Sequence, residues 1–131
     1  MVVKRSSMVY GTGTDIIEVS RVGGLVSKGE RFTLKVFTAA EIAYCESKRF
    51  SHQHYAARFA AKEAFMKALG TGWAQGISFN QVEVVHDAAG KPEIRLSGVA
   101  EQLAAEKGIQ RIFLSVSHLK EYAIAIVILE T

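Results

Sequence analysis

Patterns typical of β-strands lie at both ends of the chain, and helical patterns dominate the stretch between them. Residues 122–129 are apolar at every position, which predicts a strand in the middle of a packed sheet. Residues 8–16 begin as another strand, whose glycine-rich end leads to Asp15, and Gly11, Gly13 and Asp15 share one face of it. Two glycines on one face indicate that another backbone or a ligand approaches closely.

The remaining pattern interleaves helices with shorter strands. Helices are predicted over residues 17–35, 38–47, 55–69 and 99–107, and strands over residues 81–86, 93–96 and 112–118. The composition of residues 87–90 predicts a hairpin loop between two of these strands. Because no repeat or linker divides the chain, we expect a single α+β domain, with a mainly antiparallel sheet packed against helices.

Three local signals refine these boundaries. Thr38 and Glu41 have the spacing of a capping box and predict a helix N-terminus. The segment Gly70–Gly72, with Thr71 between two glycines, ends the strongest helical pattern, residues 55–69. The pair Gly23 and Gly24, together with Gly29, weakens the predicted helix over residues 17–35.

Composition excludes several classes of protein. The chain has 131 residues, 49% of them hydrophobic and 22% charged, which is close to the average of globular proteins and unlike disordered chains. No apolar run approaches the roughly 20 residues of a membrane helix, and the N-terminus has no apolar stretch typical of a secretory signal. The single cysteine, Cys45, excludes an internal disulfide and suits a reducing compartment. We therefore expect a cytoplasmic protein without a membrane partner.

The net charge of +3 is modest and fits either a nucleotide enzyme or a weak nucleic-acid binder. A nucleic-acid binder would need aromatic residues interleaved with Arg and Lys on a sheet face. The predicted strands contain few aromatic residues, and residues 122–129 are mainly aliphatic. We therefore expect no nucleic-acid partner.

Asp15 and Glu63 are the first candidates for chemistry. Glu63 lies in the middle of the strongest predicted helix, one turn before Lys67. Mg²⁺ is commonly held by one or two carboxylates, with waters and substrate phosphates as its other ligands. The residues alone leave an alternative open, in which Glu63 and Lys67 form a solvated helix pair and Asp15 caps the next helix.

A second candidate is the end of the penultimate strand, where alternation places Ser115 and Ser117 on one face and His118 opposite or in the turn. A serine next to a histidine in sequence is not the geometry of a catalytic triad. A hydroxyl and an imidazole at a strand end can instead donate to a phosphate oxygen, or can form an ordinary polar strand end.

A third candidate is a basic face at helical spacing, with Leu25 and Phe32 as apolar anchors. Its residues are Arg21, Leu25, Lys28, Arg31, Phe32 and Lys35. Such a face suits an acidic protein helix, although a solvated face or a weak phosphate-backbone contact remains possible. Two histidines at His52 and His54 have a spacing that a metal pair could use, but we disfavour that interpretation.

These segments together resemble the holo-acyl-carrier-protein synthases, the short bacterial 4′-phosphopantetheinyl transferases. The matching segments are YGTGTDIIE at residues 10–18, VFTAAE at 36–41, RFAAKEAFMKALGTG at 58–72, GKP at 90–92, SVSH at 115–118 and YAIAIVILE at 122–130. The block at residues 58–72 is the most specific of them. The resemblance implies that residues 8–131 form the transferase domain and that residues 1–7 are an N-terminal extension.

The resemblance implies Mg²⁺-dependent transfer of the phosphopantetheine arm of coenzyme A to a serine of an apo-acyl carrier protein, with release of adenosine 3′,5′-bisphosphate. It implies catalytic roles for Asp15, Glu63 and Lys67, and Mg²⁺ binding by the two carboxylates. It also implies a coenzyme A site and a carrier-protein surface. The expected coenzyme A residues are Arg58, Lys67, Gly70, Thr71, Gly72 and His118, and the expected carrier-binding residues are Arg21, Leu25, Lys28, Arg31 and Lys35.

The resemblance further implies a homotrimer with active sites at the subunit interfaces. The group that removes the serine proton stays open between Glu63 and a metal-bound water, and we favour the water because a metal-bound carboxylate is a poor base. An alternative function is a catalytically degenerate module that binds coenzyme A or a carrier protein. Intact Asp15, Glu63 and Lys67 argue against that alternative.

Overall fold

The computed structural model describes residues 6–72 and 76–131. Strands and helices alternate along this part of the chain, as expected for an α+β fold. The elements are β1 (Val9–Glu18), α1 (Val19–Ser27), α2 (Glu30–Val36), α3 (Ala39–Glu46), α4 (Ser51–Leu69), a 3₁₀ helix (Phe79–Gln81), β2 (Val82–His86), β3 (Pro92–Leu96), α5 (Gly98–Glu106), β4 (Arg111–His118) and β5 (Tyr122–Glu130).

β5 lies in the middle of a three-stranded antiparallel sheet, between β1 and β4, which confirms the predicted central position. β2 and β3 form a separate hairpin, and the side chain of Asp87 accepts hydrogen bonds from the backbone N–H groups of Ala89 and Lys91 in its loop. β5 is apolar on both faces, but within one chain only its inner face is packed. Ile124 and Ile126 on its outer face are 39% and 42% exposed, because the helices cover the inner face alone.

α4 packs against the inner face of the sheet through its alanines, and its contact with β1 is unusually close. A Cβ atom at Gly11 would overlap the carbonyl oxygen of Ala68, and one at Gly13 would overlap that of Ala64. The glycines therefore let two backbones lie in direct contact. This confirms the predicted close approach and identifies the approaching group as a backbone.

Asp15 lies inside β1 and pairs with Ala125 of β5. It follows the glycine-rich part of β1 but not the end of the strand, and the alternative that it caps the next helix is wrong. Pairing with β5 extends β1 to Glu18, because β5 continues to offer hydrogen-bonding partners beyond Asp15. Asp15 occupies the same inward face of β1 as Gly13.

The prediction of one continuous helix over residues 17–35 is wrong. α1 and α2 are separate helices, and Gly29 between them has a φ of 125°. Gly23 and Gly24 lie inside α1 and do not interrupt it, whereas the positive φ at Gly29 breaks the helical path. The helix predicted over residues 55–69 begins earlier, at Ser51, and ends as predicted at Gly70, which adopts a left-handed conformation with a φ of 83°.

The predicted capping box at the start of α3 is confirmed. The Thr38 Oγ1 atom accepts from the backbone N–H of Glu41 at 3.2 Å, and Glu41 Oε1 accepts from the backbone N–H of Thr38 at 3.0 Å. Glu41 is also buried and forms an ion pair with Lys62 of α4, with 2.8 Å between Nζ and Oε1. Lys62 donates further to the carbonyls of Phe79 and Val82. This buried pair joins α4 to α3 and to the start of the β2–β3 hairpin.

The helices in the described ranges include none that is both long enough and apolar enough to span a bilayer.

We expect Gly13→Ala to lower the free energy of unfolding by about 1–3 kcal/mol, because the added methyl group must push α4 off β1. The matched control is Gly24→Ala in α1, where an added methyl group would meet nothing within 4 Å. The control should be neutral or stabilising, by roughly 0.5–1 kcal/mol. Urea denaturation followed by circular dichroism measures both changes. Equal stability of the two variants would contradict the close contact between β1 and α4.

Candidate functional site

Lys67 of α4 connects the helix to β1 at the candidate site. Its Nζ atom lies 3.1 Å from Asp15 Oδ1 and donates to the carbonyl oxygen of Thr14 at 3.0 Å. The side chain of Lys67 is 56% exposed and that of Asp15 is 16% exposed. An ion pair as exposed as this one adds little to stability, and both groups remain accessible to a ligand.

Glu63 lies one turn before Lys67 and lines a cleft with it. The cleft has a volume of about 310 Å³, and its lining is Glu63, Met66, Lys67, Gly70 and Gly72. The glycines that end α4 therefore lie beside the charged side chains, as the sequence predicted. The Thr71 hydroxyl donates to the carbonyl oxygen of Gly72 at 3.2 Å, and the cleft thus includes both charged side chains and an irregular backbone.

The antiparallel passage of β1 over α4 places Asp15 near Glu63. Gly11 lies against Ala68 and Gly13 lies against Ala64, so that Asp15 falls at the level of the preceding turn of α4. Helical side chains lean toward the N-terminus, and the Glu63 side chain leans over that same turn. Lys67, which pairs with Asp15 and lines the cleft with Glu63, therefore connects the two predicted carboxylates.

Two carboxylates with a nearby lysine suit a hard cation that takes its remaining ligands from water and substrate. Over residues 6–72 and 76–131, no group of three or more His, Cys, Asp or Glu side chains could hold a metal by itself. Zinc sites normally use three or four such side chains. Mg²⁺ needs no more than one or two carboxylates, and the donor set at Asp15 and Glu63 fits that ion.

Arg58 lies further toward the N-terminus of α4 and is 5% exposed. Its guanidinium carbon lies 4.1 Å from the ring centroid of Tyr44, as in a cation–π contact. The Nε atom of Arg58 is buried without a hydrogen-bond partner. A buried guanidinium with a donor still to satisfy favours an anionic ligand.

Three histidines form a cluster beside the ring of Tyr44. The His86 ring stacks on Tyr44 at a centroid distance of 4.6 Å, and His54 contacts Tyr44 at 5.8 Å and His118 at 4.9 Å. His118 Nδ1 also lies 2.8 Å from Gln53 Oε1. Burial, together with nearby cationic groups, lowers the pKa of both His54 and His86.

Sequence reasoning missed Tyr44, His54 and His86 as members of one cluster with the predicted residues Arg58 and His118. The spacing of four residues between His54 and Arg58 on one helix was a usable signal. His86 and His118 come from separate strands, and no local pattern links them. His54 and His52 do not form a metal pair, because His52 approaches Ser27, at 3.5 Å, rather than the cluster.

The predicted alternation at the end of β4 is confirmed. Ser115 and Ser117 are exposed on the outer face of the sheet, whereas His118 contacts His54 and Gln53 on the helix side. These serines and His118 therefore do not form a nucleophile–base pair. Cys45 is fully buried, and burial raises the pKa of its thiol to about 12, which disfavours a nucleophilic role.

The predicted basic face is divided between two helices. Arg21 lies on α1, Lys28 lies in the connecting turn, and Arg31 and Lys35 lie on α2, all of them exposed. Leu25 is half-buried beside them. The cations are thus all exposed, although they do not share one helix.

Phe32 is not an anchor of the basic face as expected. Its ring contacts those of Phe37 and Phe59, each at a centroid distance of 6.1 Å, and these contacts hold Phe32 against the core. Leu34 is the more exposed apolar residue of α2, at 60%.

A profile of the 4′-phosphopantetheinyl transferase superfamily matches residues 11–127 of the chain. The chain belongs to this superfamily of transferases. Within it, the chain is 52% identical over 124 residues to the holo-acyl-carrier-protein synthase of Geotalea daltonii, covering 94% of this chain and 99% of that relative.

Solved structures show the same relationship. The crystal structure of the holo-acyl-carrier-protein synthase of Neisseria meningitidis matches 95% of this chain and 100% of its own chain, with a TM-score of 0.87 and 38% identity. The Bacillus anthracis holo-acyl-carrier-protein synthase, solved in complex with coenzyme A (3′,5′-ADP), matches 95% of this chain and 98% of its own, with a TM-score of 0.78 and 36% identity. The resemblance in the sequence motifs is thus confirmed over nearly the whole chain.

Proposed function

We propose that this protein is a holo-acyl-carrier-protein synthase. It transfers the 4′-phosphopantetheine group of coenzyme A to a serine of an apo-acyl carrier protein and releases adenosine 3′,5′-bisphosphate. The observation that carries the proposal is the position of Lys67, which pairs with Asp15 of β1 and lines one cleft together with Glu63 of α4. Such a cleft suits a pyrophosphate, whose transfer requires neutralised charge and an aligned nucleophile.

Asp15 and Glu63 would hold Mg²⁺, with oxygens of the substrate and water completing the coordination. When bound there, the ion would supply positive charge near the pyrophosphate oxygens. The ammonium group of Lys67 lies 3.1 Å from the Asp15 carboxylate, at the edge of the same cleft. From there it can meet a phosphate oxygen of the substrate as a point charge.

The remaining coenzyme A residues extend from this cleft. Gly70, Thr71 and Gly72 offer backbone groups next to Lys67, and we assign them to the wall along which coenzyme A lies. Arg58 and His118 would bind the 3′-phosphate, since the buried Nε of Arg58 has a hydrogen bond to gain. The single buried cysteine suits a reducing compartment, and we place the protein in the cytoplasm. We also retain residues 8–131 as the transferase domain.

We expect Glu63→Gln and Asp15→Asn each to lower the rate of transfer by at least about 100-fold, because each removes a charge on which the transition state depends. Glu106→Gln is a matched control, since it removes an exposed carboxylate of α5. The assay is intact-mass spectrometry of an apo-acyl carrier protein incubated with coenzyme A and Mg²⁺. Chelation should abolish the mass gain in the wild type. Near-normal transfer by Glu63→Gln with Mg²⁺ would exclude both a metal-binding and a basic role for Glu63.

The same assay separates the transferase from a degenerate binding module. A wild-type protein that binds coenzyme A but adds no mass to several apo-carriers would be the degenerate module. Metal dependence then provides a second criterion, since carrier docking alone should respond to salt instead.

The basic surface is the proposed contact for the acidic recognition helix of the carrier. Its members are Arg21, Leu25, Lys28, Arg31 and Lys35. We expect the double variant Lys28→Glu and Arg31→Glu to raise KM for the carrier by about tenfold or more, because like charges then face each other, with kcat little changed. The control is Lys107→Glu, a charge reversal at the end of α5. Equal KM values for the double variant and the control would exclude this surface from docking.

The outer face of the three-stranded sheet supports a homotrimer. Ile16, Phe113, Tyr122, Ile124 and Ile126 are each between 39% and 65% exposed there, in adjacent strands. A contiguous apolar patch of this kind normally marks an interface between proteins. A second and third copy of the chain would cover it.

We expect Ile126→Arg to dissociate the trimer into monomers, because the charge would be buried without a partner at the interface. Gln102→Arg on the exposed side of α5 is the control and should leave the assembly intact. Sedimentation velocity gives the mass of the wild-type protein and of both variants. A wild-type protein that sediments as a monomer at micromolar concentration would contradict the proposed assembly.

A further inference from the structure

The cluster around Tyr44 contains cations whose charge is not neutralised by neighbouring carboxylates within the described residues. Arg58 lies 4.1 Å and Lys48 Nζ lies 4.7 Å from the Tyr44 ring centroid. None of the ion pairs found among residues 6–72 and 76–131 involves either cation. The carboxylate of Asp87, near His86, already accepts two backbone hydrogen bonds in its own loop.

Three imidazoles extend this cluster and come from three different elements, with His54 and His86 against the Tyr44 ring and His118 against His54. His54 belongs to α4, His86 ends β2 and His118 ends β4. Each is half-buried, so that each can reach a ligand at the surface. The buried Nε of Arg58, without a partner, is an independent sign that the cluster accommodates an acceptor atom.

We propose that His54, His86 and Tyr44 complete a proton-linked phosphate site around Arg58 and His118, in which His54 and His86 take up protons as the phosphate monoester of coenzyme A binds. This inference rests on the proposed function for the assignment of the ligand. Tyr44 holds the Arg58 guanidinium against its ring and stacks on His86. It is therefore the positioning residue of the site.

The direction of the proton linkage follows from the groups that face each imidazole. His54 faces His118, Arg58, Lys48 and His86, and its pKa is lowered by burial first and then by these groups. His86 faces Arg58 and Lys48, which lower its pKa, and Asp87, which opposes them. Both rings are accordingly neutral at neutral pH in the free protein. A phosphate dianion adds opposite charge and acceptor oxygens, which favour the protonated rings.

Binding of the phosphate group should therefore strengthen as the pH falls from about 7.5 toward about 6, the range in which a histidine titrates. One imidazole whose pKa rises by a full unit on binding changes the affinity by up to about tenfold. Because a phosphate monoester itself titrates near pH 6, the contribution of the protein must be taken from the difference between wild type and variants. Proton uptake by the protein should be absent when the ligand lacks the phosphate group.

Isothermal titration calorimetry in two buffers of different ionisation enthalpy counts the protons taken up. We expect uptake when wild-type protein binds coenzyme A, a marked decrease for the double variant His54→Gln and His86→Gln, and no uptake by wild type with 3′-dephospho-coenzyme A. His52→Gln is the matched control on the same helix, since His52 lies outside the cluster near Ser27. Tyr44→Phe should retain the affinity and Tyr44→Leu should lose it.

Equal proton uptake by wild type and the double variant would overturn the proposal, as would unchanged uptake with 3′-dephospho-coenzyme A. Normal phosphopantetheine transfer without proton uptake would overturn this inference while leaving the proposed function intact. Adenosine 3′,5′-bisphosphate serves as an independent probe. Suppose that adenosine 3′,5′-bisphosphate binds to the wild-type protein with proton uptake that the double variant lacks, and that the wild-type protein transfers nothing to any carrier. The phosphate site is then supported, and the transferase function fails. Circular dichroism confirms that each variant is folded.

Discussion

The direct contact between the backbones of β1 and α4 determines most of what this structure can do. An ordinary side chain at Gly11 or Gly13 would hold the helix away from the sheet, because a Cβ atom there overlaps a carbonyl oxygen of α4. Lys67 would then no longer reach Asp15 and the carbonyl of Thr14. The two glycines thus set the distance between a strand that carries Asp15 and a helix that carries Lys67 and Glu63. Their role is geometric, although they contribute no functional atom themselves.

The buried pair of Lys62 and Glu41 fixes the opposite side of the same helix. All three donors of the Lys62 ammonium group are used, on Glu41 and on two carbonyls near β2, and Glu41 also accepts from the backbone N–H of Val84. Removal of one partner would leave the other charge buried, which typically costs about 3–5 kcal/mol. Successive residues of α4 therefore have opposite tasks, since Lys62 anchors the helix and Glu63 faces the cleft.

Local features of this fold could be predicted from the sequence, whereas long-range features could not. Local signals identified the strands, the capping box at Thr38, the end of α4 and the spacing of Glu63 and Lys67, because each depends on neighbours a few residues apart. Gly29 was one of three glycines expected to weaken the predicted helix, but the break there was not predicted, because the sequence does not show which glycine adopts a positive φ. The burial of Lys62 was missed as well, since lysine is rarely buried without a partner and Glu41 is distant in sequence. The histidine cluster depends on three elements that only the tertiary fold brings together.

The environment of Cys45 has a consequence for an enzyme that handles thiols. Coenzyme A ends in a thiol, and the modified carrier protein gains that same group. Thiol–disulfide exchange requires an accessible thiolate, whereas Cys45 is fully buried and the pKa of its thiol is raised to about 12. The one cysteine of the chain is thus inert toward the sulfur of its own substrate and product. Neither oxidised coenzyme A nor an oxidised carrier can trap the folded protein as a mixed disulfide.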